Sequence, residues 1–223
     1  MAATAATNLT SGANNTSQTS QATASVSIPA YSLILLAAFN RVASGTPNEP
    51  TVSGASCTWT KVDTVTTGQM RLTVFRAMST VATSGVLTID YGGQTATSSN
   101  WSVDAFDHVD TTGTNGANAV VQAVTDTAVG TTTGESITLS AFGSADNSTY
   151  GVIVNDNTVA VTVGSGFTQL SNQVSNHRIV AEWKVSNDTT VDWTWSSTSL
   201  TDYGVAVEIK NGEPPSSSFF ALL

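Results

Sequence analysis

The chain has one cysteine, two histidines and seven lysines and arginines among its 223 residues, and charged side chains make up only 10% of it. Each scarcity excludes a class of chemistry. Cys57, alone, cannot form an internal disulfide. It lies in Ser56-Cys57-Thr58-Trp59, which reads as a strand, where a thiol behaves as a small apolar side chain. His108 and His177 are far apart in sequence and neither accompanies a Gly-x-Ser-x-Gly elbow, so a nucleophilic triad has no support. With one Cys and two His, a zinc site lacks its usual donors. No glycine-rich phosphate loop follows a strand and opens a helix.

The basic residues Arg41, Lys61, Arg71, Arg76, Arg178, Lys184 and Lys210 form no run. Nucleic-acid binding needs clustered cations to release counterions from the phosphate backbone, so it is not expected. The formal charge of −9 favours solubility instead. The longest apolar run, Leu33 to Phe39, is too short to cross a bilayer, so no membrane role is expected. Residues 1–8 have neither the basic nor the apolar region of a secretory signal.

Serine and threonine fill the place of the missing charges, at well over a quarter of the residues. Threonine suits half-buried pleated surfaces, because its branched Cβ packs there. A hydroxyl surface fits an environment outside cells, yet no export signal is present. A virion protein, made in a host cytoplasm without a signal peptide and later surface-exposed, satisfies both observations.

Residues 1–22 hold almost no large apolar group and read as an N-terminal arm. Alternating, strand-like text starts at Thr23, and 23–210 reads as one β-sandwich domain. Strands are expected near residues 23–28, 32–40, 58–62, 70–78, 86–91, 99–106, 119–125, 136–139, 150–154, 158–163, 177–185, 190–195 and 203–209. Gly- and Asn-containing turns separate nearly all of them, the spacing of a sandwich or barrel. Leu33 to Phe39 is apolar on both faces, as in a strand covered on both sides. Elsewhere alternation assigns faces: Leu72 and Val74 against Thr73 and Phe75; Trp101, Val103 and Ala105 against Ser102 and Asp104; Val191, Trp193 and Trp195 against Asp192 and Thr194.

Four pieces together resemble phage-associated β-sandwich virion proteins: Ser32 to Ala37, Leu72 to Met78, Leu87 to Thr95 with Trp101 to Asp104, and Ala206 to Lys210. The resemblance spans roughly residues 8–210. It implies a jelly-roll-like virion component, of capsid-decoration or fibre-head type, and carries no catalytic motif. The expected fold is therefore all-β: a single antiparallel β-sandwich, jelly-roll-like, with an extended N-terminal arm and a C-terminal tail.

Residues 211–223 are that tail, a Pro/Ser linker followed by Phe219-Phe220-Ala221-Leu222-Leu223. Water does not favour such a run, so Phe219, Phe220, Leu222 and Leu223 are the candidate partner-binding residues. The expected function is a non-enzymatic capsid decoration or cement protein, homo-oligomeric, joined through its termini to capsid or other virion subunits. No catalytic, metal or cofactor site is expected.

Two alternatives stay open. A carbohydrate- or receptor-binding head, with a surface glycan as partner, needs an exposed aromatic row, and Trp193 with Trp195 would supply it. A β-sandwich glycosidase needs two facing carboxylates. Asp104, Glu182 and Glu208 lie within strands, and the expectation is that each faces solvent or pairs with Arg71, Arg76 or Lys184. The loop from Asp104 to Gly116 is rich in oxygen donors, with Asp107, Asp110 and Asn115 as calcium candidates, and reads by default as an Asx- and Gly-rich turn.

Overall fold

The computed structural model describes residues 4–212, without the side chains of 128–131, 199 and 200. Fourteen strands are assigned among the described residues. The first half contributes β1 (Ala5–Asn14), β2 (Ser20–Ile28), β3 (Leu33–Val42), β4 (Thr51–Gly54), β5 (Thr60–Thr67), β6 (Met70–Ala77), β7 (Thr83–Asp90) and β8 (Ala96–Asp107). The second contributes β9 (Val120–Thr138), β10 (Ser148–Asn155), β11 (Val161–Val163), β12 (Thr168–Val174), β13 (Arg178–Lys184) and β14 (Thr190–Ile209). All pairings are antiparallel. The expected all-β sandwich is present.

The jelly-roll plan occurs twice. In the first half β1-β8-β3-β6-β5 form one sheet and β2-β7-β4 another, the two-sheet alternation of a jelly roll. In the second half β9 and β14 are each two such strands run together. Residues 120–128 pair with 202–209 as β1 pairs with β8, and 134–138 pair with 190–194 as β2 pairs with β7. The order 120–128, 202–209, β10, β13, β12 then repeats β1-β8-β3-β6-β5, and β11 takes the place of β4.

Register follows suit. Asn40 pairs with Arg71 as Asn155 pairs with Arg178. The bulge between Lys61 and Asp63 recurs between Gln169 and Ser171. Trp59-Thr60-Lys61-Val62 thus corresponds to Phe167-Thr168-Gln169-Leu170.

The two long sheets face each other over a shared apolar core. Leu33, Leu35, Ala37 and Phe39 of β3 meet Tyr150, Val152 and Val154 of β10 within it, flanked by Leu72, Ile179 and Val205. The edges meet in a crosswise fashion, β1 beside β12 and β9 beside β5, which is a pseudo-twofold relation between the halves. The outer faces are covered as well. Over the first sheet, β2-β7-β4 bury Ile34, Leu36, Trp101 and Val103 against Val26, Leu87 and Ile89. Over the second, the bent parts of β9 and β14 bury Ile153 and Val180 against Ile137, Val191 and Trp193. Gly151 allows this close approach, since a Cβ there would lie 2.4 Å from Val191 Cγ1 and 2.8 Å from Trp193 Cζ2.

Four layers and three cores explain why Leu33 to Phe39 is apolar on both faces, every one of those residues being buried. They also overturn the expectation for the strand acids. A strand covered on both faces has no solvent side, and Asp104, Glu182 and Glu208 are all fully buried. In Glu182-Trp183-Lys184 the buried residue is Glu182, and Trp183 is half-buried.

Of the expected arm, residues 1–22, the described part from Thr4 onward belongs to the sandwich itself. β1 lies along β8 as the edge strand of an inner sheet. It needs few large side chains there, because its backbone pairs with β8 and its amides reach inward: Asn8 Nδ2 donates to Asp104 Oδ1 at 2.8 Å and to Ser102 Oγ at 3.1 Å. Gly12 lets the Trp101 indole approach the strand closely; a Cβ there would sit 2.2 Å from it. At the other end, Gly212 N–H donates to His108 O at 2.8 Å, so the start of the expected linker is tied to the loop between the halves.

Candidate functional site

A recess of about 280 Å³ opens at one loop end of the first half. It is formed by the β2–β3 turn with Tyr31, the β4–β5 connection Ser56-Cys57-Thr58, the β6–β7 turn with Met78, Ser79 and Thr80, and the connection between the halves with Thr111, Gly113, Asn115 and Gly116. Left-handed backbone concentrates here. Non-glycine residues with positive φ are Tyr31 (61°), Ala55 (49°), Ser56 (53°), His108 (58°) and Asn115 (52°), and three of these five line the recess. Such conformations cost on the order of 1–2 kcal/mol each outside glycine and persist only where surroundings hold them.

The holding contacts are local. Tyr31 N–H donates to Ser79 O at 2.7 Å, tying two of the turns together. Gly54 lies so close to β7 that a Cβ would stand 2.1 Å from Val86 O, and Cys57 N–H donates back to Gly54 O at 3.2 Å. In the connection between the halves, Asp110 accepts from Thr112 N–H at 2.8 Å and Oγ1 at 2.6 Å, and Asn118 Nδ2 donates to Thr112 Oγ1 at 2.9 Å. Lys210 Nζ reaches Asp110 at 2.6 Å.

The lining is hydroxyl-rich and, among the described residues, carries no carboxylate, imidazole, ammonium or guanidinium. Tyr31 is 54% exposed. Cys57 is half-buried, with Sγ 3.7 Å from Thr83 Oγ1, and packs against the outer core as well as lining the recess. The second half lacks the same rim: the chain takes seven steps from Val52 to Trp59 but six from Val161 to Phe167, and Lys184 Nζ stands 5.5 Å from the Phe167 ring there.

The buried acids lie elsewhere and apart. Asp104 accepts from Asn8, from Ser102 Oγ at 2.8 Å and from Tyr150 OH at 3.3 Å; burial outweighs these donors and raises its pKa to about 6. Glu182 Oε2 accepts from Gly164 N–H at 3.0 Å while Oε1 has no partner among the described residues, and burial, reinforced by Asp192 and Asp188, raises its pKa to about 9. Glu208 accepts from Asn147 Nδ2 and Gln122 Nε2, both at 2.6 Å. The three share no hydrogen-bond partner, and none of them pairs with Arg71, Arg76 or Lys184. Glu135, which sequence reasoning passed over, has its pKa raised to about 7 by burial and by Asp126 and Asp202.

Of the other residues singled out, Trp193 is 1% and Trp195 5% exposed, so the pair that a carbohydrate-binding head would have needed at the surface is inside the fold. Trp195 Nε1 donates to Thr132 O at 3.0 Å. His177 is buried against the Phe39 ring, its Nε2 3.1 Å from Asp156 Oδ1. Asp107 accepts from Ser32 Oγ, Asp110 takes Lys210 and Thr112, and Asn115 joins the recess, so the three calcium candidates go separate ways. No group of three His, Cys, Asp or Glu side chains among the described residues could hold a metal ion. No helix among them is long and apolar enough to cross a membrane. Phe219, Phe220, Leu222 and Leu223 lie outside the described residues.

Tyr31 escaped the sequence reading because one tyrosine in a Pro29-Ala30-Tyr31 turn looks like punctuation between strands. Fold and site define the described residues as a double jelly-roll sandwich with a polar, uncharged loop-end recess. Comparison with protein-family models, with curated proteins and with solved structures gives no match.

Proposed function

We propose that this chain is a virion structural protein of capsid-decoration or cement type, exposed on the particle surface and joined to neighbouring subunits through its C-terminal apolar run. The observation that carries this reading is mechanical. Three apolar cores lock four β-layers into one body, and the acids inside that body are engaged by, or enclosed within, the fold itself. Such a body suits a rigid platform. Phe219, Phe220, Leu222 and Leu223 would add buried apolar area at a subunit contact, about 25 cal/mol per Å², and closed symmetry would multiply each small contact.

The test is deletion of residues 214–223, followed by sedimentation of both chains and of their mixtures with particles. The truncated chain is expected to lose self-association or particle binding while keeping its melting temperature. A truncated chain that assembles like the full chain overturns the reading.

A further inference from the structure

We infer that the loop-end recess of the first half is a binding site for a neutral, hydroxyl-rich ligand of the size of one sugar ring, with Tyr31 as its stacking face. This inference is independent of the assembly reading above.

The lining sets the ligand's chemistry. A phosphate, sulfate or carboxylate would be held by arginine or lysine, and the recess offers neither among the described residues, within a chain of net charge −9. A cation would need a carboxylate, and none lines it among the described residues. What is offered is hydroxyls from Ser56, Thr58, Thr80 and Thr111 together with the amide of Asn115. These groups donate and accept without charge, the complement of a polyol.

Tyr31 adds the other half of sugar recognition. A saccharide ring has an apolar face of C–H groups that packs on an aromatic ring, and tyrosine brings large area at little entropy cost. Tyr31 is the only aromatic residue of the lining among the described residues and is 54% exposed, although most described aromatic side chains are buried. Its backbone is fixed at φ 61° by the bond to Ser79 O, so the ring is presented from a rigid turn.

Size and rigidity agree. About 280 Å³ lies just below the usual range for sites that enclose drug-sized ligands, and suits a single ring with the rest of a glycan outside. Three left-handed non-glycine residues at the rim mean that the fold maintains this loop shape at an energetic cost, which is characteristic of binding sites.

The experiment uses the full chain on an array of neutral, sialylated and sulfated glycans, followed by calorimetry with the retained oligosaccharide. Neutral glycans are expected to be retained. Tyr31→Ala should weaken binding about tenfold or more with the melting temperature unchanged, and Tyr31→Phe should keep most of it, since stacking survives. In the wild-type chain the retained oligosaccharide should slow alkylation of Cys57 by iodoacetamide, a readout that stands even if a Tyr31 variant folds poorly. Retention of anionic glycans alone, no retention of any glycan, or binding that leaves Cys57 alkylation unchanged overturns the proposal.

Discussion

The Tyr150 hydroxyl on β10 donates to the Asp104 carboxylate on β8 at 3.3 Å, across the core that the two halves share. It is a polar contact inside an apolar interface. Asp104 faces Leu35 on β3, and the equivalent position of the second half, facing Tyr150 itself, is Val207. The pseudo-twofold relation is therefore broken at this point, with a carboxylate on one side and an isopropyl group on the other.

Asp104 makes stability fall as pH rises across a narrow window. Its pKa is about 6 in the fold against an ordinary value of 3.8, because burial penalises the charged form. Below the ordinary value both states hold the proton and the folded state bears no ionisation penalty. Between that value and about pH 6 the unfolded chain ionises more readily, so stability is lost, and above it the loss is complete. Asp104→Asn, which keeps the shape, should flatten the melting-temperature curve between about pH 4 and 6. An unchanged curve would show that the carboxyl titrates normally.

Glu182 extends the same trend to higher pH. Its pKa of about 9 is raised from 4.5 by burial and by the nearby Asp192 and Asp188, so the folded state holds a proton that the unfolded chain releases. The stabilisation it lends relative to an ionised group is lost progressively from about pH 4.5 to about 9. Glu182→Gln should therefore raise the melting temperature more at pH 9 than at pH 5. Equal effects at both values would mean that the carboxyl is already ionised in the fold.

Much of the strand content was legible because alternation survives burial on two faces. The pairing of Leu72 with Val74 on one face, and of Trp101 with Val103 on one face, holds in the structure, where the two pairs enter different cores. The duplication was not legible, since equivalent positions carry unlike side chains: Phe75 and Glu182, Arg76 and Trp183, Leu35 and Tyr150. Only scattered identities persist, such as Asn40 with Asn155 and Arg71 with Arg178. Backbone pairing conserves the plan while packing tolerates exchanges of volume and polarity. The acids were misread for a related reason: a strand pattern shows which residues share a face but not whether a further layer covers that face. The recess was illegible because it assembles short stretches from four separate connections.

Removing residues 1–14 should damage the body itself. Ala5 to Asn14 pair with β8 from Asp107 to Ser99, and Gln173 Nε2 of β12 donates to Ser11 Oγ at 3.0 Å from the opposite half. Without β1 the inner strand β8 becomes an unprotected edge, a template for intermolecular pairing. Asp104 also loses the Asn8 amide. The truncated chain is expected to aggregate on expression or to melt well below the full chain, measured by soluble yield and light scattering. A monomeric truncated chain with the original melting temperature would restore the reading of this segment as an arm.

The shared core makes the two halves one cooperative unit, and Leu35→Ala tests this directly. Leu35 is fully buried in β3 and belongs to the cluster that also holds Tyr150, Val152 and Val205 of the second half. Truncating a buried leucine removes its transfer energy and leaves a cavity, about 2–5 kcal/mol in total. Trp59 and Trp101 report on the first half, and Trp183, Trp193 and Trp195 on the second, so two Trp→Phe backgrounds separate the signals. Because the cavity opens in a core built from both halves, the denaturant midpoints of both reporters should fall together by the same amount, in one transition. A second-half reporter that keeps its midpoint while the first half's falls would mean that the halves fold independently.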